Sequence, residues 1–145
     1  MWPPEHLKLV PKTAAKPKRR RIKREAPVQE AMVEYLDLAL PEGCGVWWSA
    51  TLNGVRLTTA KARGDAAKQG LRKGLFDLIF VKLRGPDAGQ TYHFEVKAER
   101  GSLTPEQRML LDVLFIAGRG ATGKTVDQLA AALVAWGMPL RCYPS

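Results

Sequence analysis

The stretch LFDLIFVKL-RGPDAGQ-TYHFEVKA, residues 75–98, constrains the fold more than any other part of the chain. Residues 75–83 are apolar on both faces, the pattern of a strand at the centre of a sheet. Residues 84–90 carry the glycines, proline and aspartate of a turn. Residues 91–98 alternate: Tyr92, Phe94, Val96 and Ala98 point one way, and His93, Glu95 and Lys97 the other. An antiparallel hairpin is predicted. Opposed residues in such a hairpin share one index sum. A turn centred on Pro86 makes that sum 172 and sets Asp77 opposite Glu95, with Cβ atoms about 5 Å apart. Lys97 shares their face.

Paired carboxylates repel, and each raises the other's pKa unless a cation lies between them. Mg²⁺, with Mn²⁺ as its substitute, suits such a pair: it takes a few carboxylate oxygens and keeps several waters. It can hold a scissile phosphate and lower the pKa of a bound water. Lys97 would orient that water or stabilise the pentacoordinate phosphate, and the Val96 carbonyl is a further candidate ligand. The same three residues also fit a solvated strand face with a cross-strand ion pair, and on these residues alone both readings stand.

The flanking elements follow from periodicity and caps. A first helix begins at Ala26-Pro27, with Val28, Met32, Tyr35, Leu36 and Ala39 on one face. Residues 45–52 read as a strand ending in the turn signal Asn53-Gly54. Residues 55–74 are irregular or weakly helical and basic, with Arg56, Lys61, Arg63, Lys68, Arg72 and Lys73. Thr104, Pro105 and Gln107 form a capping box that opens a helix running to about Ala117. Val126 to Trp136 is the last helix, capped by Gly137, and a short strand is expected to end the chain.

One hundred and forty-five residues with 46% apolar content suit one domain. The charge is uneven. Of 23 Lys and Arg and 14 Asp and Glu, the first 24 residues hold nine and one, leaving 14 and 13 for the rest. The nearly neutral domain, 25–145, thus carries a polycationic arm, 1–24. Arg19, Arg20, Arg21, Lys23 and Arg24 of the arm, with Lys73, are candidate DNA contacts. A solvated tail is the plain alternative for the arm. No apolar run approaches a membrane span, and no apolar h-region opens the chain. Cys44 and Cys142 are too isolated for a zinc site or a disulfide framework, so a cytoplasmic location is expected. His93 reads as a solvated strand histidine. Of Trp47 and Trp48, one should be core and the other near an interface.

GRGATGKT, Gly118 to Thr125, matches the phosphate-loop pattern G-x-x-x-x-G-K-[ST]. Its context does not. Such a loop opens a doubly wound sheet with a downstream acidic strand. Only 20 residues follow Thr125, and Asp127 is the one acid among them. A helix C-cap and turn, with a short strand, is the better reading, and no nucleotide cofactor is expected.

Asp77…Glu95-Val96-Lys97 resembles the D…E-x-K core of the PD-(D/E)xK nucleases. GLRKGLFDLIF (70–80) followed by FEVKAERGSLTPEQRMLLDVLFIAG (94–118) is similar to the VRR-NUC family within them. The likeness spans about residues 25–140. It implies metal-binding roles for Asp77 and Glu95, a catalytic role for Lys97 and an active-site role for Gln107. Glu25, four residues before Gln29, matches a further acidic ligand of the family, and Asn53-Gly54 its turn after strand one. Phe76 departs from the family, which has proline before the aspartate.

The resemblance implies an α/β fold: a mixed central sheet of about four strands flanked by helices, with a restriction-endonuclease-like αβββαβ core. It implies a Mg²⁺- or Mn²⁺-dependent endonuclease acting on branched DNA as Holliday-junction resolvases do, as a homodimer. A flap or exonuclease-type nuclease and a catalytically silent DNA-binding module of the same fold are the alternatives.

Overall fold

The computed structural model describes residues 25–51, 59–70, 76–98 and 100–145, with only the backbone of Glu25. The basic residues of 1–24, Asn53-Gly54, Arg56, Arg72 and Lys73, and the Glu25 side chain, lie outside the described residues. The elements run α1 (Glu25–Ala39), β1 (Val46–Ala50), α2 (Ala60–Lys68), β2 (Leu78–Lys82), β3 (Thr91–Val96), α3 (Pro105–Ile116), β4 (Gly120–Gly123) and α4 (Val126–Ala135). The architecture is mixed α/β: one four-stranded sheet, ordered β1-β2-β3-β4 and flanked by helices. β1, β2 and β3 are antiparallel neighbours, and β4 lies parallel to β3. A parallel pair needs a long crossover, and α3 supplies it.

The hairpin forms in the predicted register. Leu78 faces Phe94 and Ile79 faces His93, each pair summing to 172. The turn is closed by the Gly89 amide donating to the Lys82 carbonyl at 2.7 Å. β2 is central, as its two-sided apolar pattern requires.

One sheet face carries the core. Met32, Leu36 and Ala39 of α1 and Leu129 and Leu133 of α4 pack with Leu78, Phe80, Phe94 and Val96. The stripe read in the first helix is this contact surface, with Val28 packed at its margin. Trp48 belongs to the same side and donates its indole N–H to the Leu40 carbonyl at 3.3 Å, whereas Trp47 is 51% exposed.

β4 is narrow because it is clamped on both faces. A Cβ on Gly120 would stand 2.6 Å from Leu114 Cβ of α3. A Cβ on Gly123 would stand 2.8 Å from Phe94 Cζ and 2.9 Å from Gln128 Cβ of α4. Residues three apart in a strand face opposite ways, so α3 and α4 lie on opposite sides of β4. The site face of β3 therefore lies on the α3 side.

One expectation is corrected and one is sharpened. The chain does not end in a strand: among the described residues, 139–145 have no regular structure. Pro139 and Pro144 lack the amides a ladder needs. The segment docks on α1 instead, where the Arg141 amide donates to the Ala39 carbonyl at 2.9 Å and the Tyr35 hydroxyl to the Cys142 carbonyl at 2.9 Å. Part of the basic 55–74 segment is a regular helix, α2. Thr59 caps it by accepting from the Ala62 amide at 3.0 Å, and none of its residues is buried. The order αβββαβ is thus present with α2 inserted and α4 added.

Candidate active site

The site forms where β2 begins and β3 ends. Asp77 is the last residue before β2, and two contacts from Thr51 fix its backbone. The Thr51 amide donates to the Asp77 carbonyl at 2.9 Å, and the Thr51 hydroxyl to the Phe76 carbonyl. Amides alternate along β3: those of His93 and Lys97 donate to Arg119 and Gly123 on the β4 side. The Val96 amide therefore points toward β2, at a level where that strand has not yet begun. The Asp77 carboxylate fills the gap, with Oδ2 accepting from the Val96 amide at 2.8 Å. The amide and carbonyl of one strand residue point to the same edge, so the Val96 carbonyl faces the Asp77 side as well.

Glu95 is the centre of the site, with 1% of its surface exposed. Oε1 accepts from Gln107 Nε2 at 2.6 Å and from Lys97 Nζ at 2.9 Å. Oε2 has no donor, and among the described residues it is the one buried side-chain polar atom so placed. Asp77 approaches from β2. As carboxylates the two are acceptor against acceptor, and only a shared proton or a cation can join them. Burial first, and the Asp77 charge second, push Glu95 up to about 7 despite the opposing pull of Lys97. The Coulomb sum explains the cost: two carboxylates and one ammonium leave a net negative charge in a dry setting.

Gln107 arrives through the capping box. Its own amide donates to Thr104 Oγ1 at 3.2 Å, and its side-chain oxygen accepts from the Thr104 amide at 3.1 Å. With that oxygen committed to Thr104, the NH₂ must face Glu95. A local device for starting a helix thus orients the group that holds the carboxylate. Thr122, opposite Glu95 in the parallel pair, donates its hydroxyl to the Glu95 carbonyl at 2.9 Å.

Asp77, Glu95, Lys97 and Gln107, each 7% exposed or less, thus meet in one buried cluster as the sequence led one to expect. Among the described residues no third His, Cys, Asp or Glu joins them as a metal ligand. The expected contribution of Glu25 falls on a side chain outside the described residues. Thr51 and Thr122 were not anticipated. No local pattern marks them, because their roles depend on pairings with residues 26 and 27 positions away.

His93 differs from its reading as a solvated residue. It is half-buried and meets the Phe76 ring edge-on, with centroids 6.0 Å apart, and burial lowers its pKa. Phe76, where the resembling family has proline, is buried and forms this contact.

GRGATGKT is divided among three elements. Gly118, at φ 72°, follows the C-cap of α3; Gly120–Gly123 is β4; Thr125 caps α4. In a phosphate loop successive amides point at the ligand. Here the Lys124 amide donates to Gln128 Oε1 at 2.6 Å and the Gln128 amide to Thr125 Oγ1 at 3.1 Å. The helix start is closed by its own side chains, which fits the cap-and-turn reading.

Comparison with protein-family models, curated proteins and solved structures finds no match to this chain.

Proposed function

We propose that the chain is a Mg²⁺- or Mn²⁺-dependent DNA endonuclease of the PD-(D/E)xK type, with the VRR-NUC likeness and the restriction-endonuclease-like core as part of that reading. The observation that carries it is Glu95 Oε2, a buried carboxylate oxygen without a donor among the described residues, in a site where the charge of Asp77 also acts on Glu95. An uncompensated acceptor of this kind costs about 1–3 kcal/mol or more, so a site that keeps one calls for an explanation in function. A divalent cation fits: it would take Oε2 of Glu95, Asp77 and the Val96 carbonyl, all oxygen donors. Glu25 on α1 is a further candidate.

The ion would supply a bound water of lowered pKa and charge for the leaving oxygen of a phosphodiester. Lys97, whose Nζ lies 2.9 Å from Glu95 Oε1, would donate to a non-bridging phosphate oxygen as negative charge develops there. Gln107 would keep Glu95 turned toward the ion. The basic arm, with Lys73, would hold the DNA backbone without regard to sequence, which makes binding steeply dependent on salt. One such site cuts one strand, so paired cuts in a junction require two symmetric copies. Among the described residues no helix is long and apolar enough to cross a membrane.

The test is cleavage of a four-way junction and a matched linear duplex with Mg²⁺ or Mn²⁺, comparing wild type with Asp77→Ala. Symmetric, metal-dependent nicks in the junction, lost in the variant, are expected. Cleavage of flaps or free ends instead would keep the chemistry and replace the substrate. Binding without cleavage in either metal would leave a silent DNA-binding module of the same fold.

A further inference from the structure

We infer that the outer face of α3 is a self-association surface, on which a second copy of the chain docks with its own α3 antiparallel. The inference rests on the proposed function only for the use made of two sites, and not for its evidence. α3 is apolar on two sides. Leu111 and Leu114 face β4, where a Cβ on Gly120 would stand 2.6 Å from Leu114 Cβ and 3.4 Å from Leu111 Cδ1. Met109, Leu110, Val113 and Ile116 recur at helical spacing and form a second stripe on the far side. They are 62%, 39%, 64% and 87% exposed, and Phe115 beside them is 72% exposed. Gln107 is the one buried residue of the helix. Single exposed apolar side chains are ordinary, but a continuous patch on the order of several hundred Å² marks an interaction surface. A helix apolar on both sides belongs in an interior, and α3 has one covered side.

The chemistry of the stripe selects the occupant. A nucleic acid needs cations for its phosphates, and the stripe presents none. A helix that lies on an anionic lipid surface is rich in Lys and Arg on its polar face. The charged residues of α3 are Glu106, Arg108 and Asp112. A protein surface fits, and the stripe is complementary to itself. With a two-fold axis beside Val113, antiparallel copies set Met109 against the partner's Ile116. Glu106 and Arg119 lie three positions outside those two residues, so each Glu106 comes level with the partner's Arg119 at both ends of the patch. Arg119 is fixed just beyond the helix: Gly118 turns at φ 72°, and the Arg119 amide donates to the Leu114 carbonyl at 2.8 Å. Neither Glu106 nor Arg119 has an ion pair among the described residues. Parallel copies would instead set Glu106 beside its own copy. A stable interface covers about 800 Å² on each partner, with an apolar centre and a polar rim. The stripe and Phe115 supply the centre, and Glu106 with Arg119 the rim.

The experiment is sedimentation velocity of the full chain over about 1–100 μM, without DNA, with circular dichroism and thermal midpoints to check folding. Wild type is expected to be a dimer at the upper end. Val113→Glu, which brings like charges together at the two-fold axis, is expected to weaken the dimer at least about a hundredfold. Ile116→Glu provides the same test should Val113→Glu not fold. Glu106→Arg should weaken the dimer, and Glu106→Arg combined with Arg119→Glu should restore it. Wild type that stays monomeric throughout, or a dimer unchanged in both Val113→Glu and Ile116→Glu, would overturn the inference. A monomer whose thermal midpoint falls in Val113→Glu would place another segment of the same chain on the stripe and overturn it as well. A double variant no better paired than Glu106→Arg would overturn the antiparallel arrangement. Plasmid nicking in Mg²⁺ separates this inference from the proposed function: a monomer that nicks loses the self-association surface and keeps the nuclease reading, and a dimer that nicks nothing does the reverse.

Discussion

Gln107 donates its side-chain amide to Glu95 Oε1 at 2.6 Å, joining the first turn of α3 to the end of β3. The same side chain completes the capping box with Thr104. Helix initiation and the orientation of a buried carboxylate are thus one hydrogen-bonded unit.

Removing the donor tests this unit. Gln107→Ala leaves Lys97 alone on Oε1, and metal-dependent cleavage should fall about 10–100-fold, the usual cost of losing a group that holds a ligand in place. Gln107→Glu keeps the bond to Thr104 but sets acceptor against acceptor at Glu95, and should fall at least as far. Single-turnover rates at saturating metal check both; wild-type rates in Gln107→Glu would show that the amide does not orient Glu95.

The cap itself is separable. Thr104→Ala removes the acceptor for the Gln107 amide while the Thr104 amide can still hold the Gln107 side chain. It should cost about 1 kcal/mol of stability, with a smaller loss of cleavage than Gln107→Ala, and Thr104→Ser should restore it. Urea midpoints measured beside the cleavage rates make the comparison.

Without metal, stability should depend on pH through Glu95. The unfolded side chain loses its proton near 4.5, whereas the folded one keeps it up to about 7. Between those values the folded state binds more protons, so this contribution is full below pH 4.5 and is lost as pH rises through 7. Glu95→Gln mimics the protonated acid and lacks this slope. In EDTA, the stability of wild type relative to Glu95→Gln should drop by on the order of 2 kcal/mol from pH 5 to pH 8. His93, lowered by burial, gives the opposite slope in both proteins and cancels in the difference. A flat difference would mean that Glu95 is ionised throughout.

Two glycines should respond in opposite directions. Gly123→Ala places a methyl 2.8 Å from Phe94 Cζ and 2.9 Å from Gln128 Cβ, and should destabilise by about 1–3 kcal/mol. Gly64→Ala, inside α2 with nothing within 4 Å of the new methyl, should stabilise by up to about 1 kcal/mol. Thermal midpoints of the two variants check the sign.

What could be read from the sequence divides by range. The hairpin and its register were legible because alternation and turn centre are local, and they brought Asp77 to Glu95. The capping box at Thr104 was legible for the same reason. β4 was hard to see as a strand: Gly120, Ala121, Thr122 and Gly123 carry almost no β signal, and their pairing is imposed by β3 on one edge and by α3 and α4 above and below. The two-sided need for small residues explains the glycines that imitate a phosphate loop. Gln107 was named through resemblance, since its contact with Glu95 depends on how α3 docks, which no local pattern encodes. Thr51 and Thr122 support the site from positions that only the assembled sheet reveals.

The most direct test of the account is nicking of supercoiled plasmid by the full chain in Mg²⁺, with wild type and Glu95→Gln at equal concentration. The account predicts open-circular product with wild type, none in EDTA, and at least a hundredfold less, by order of magnitude, with folded Glu95→Gln. Equal nicking by the two proteins, or nicking that persists in EDTA, would contradict it.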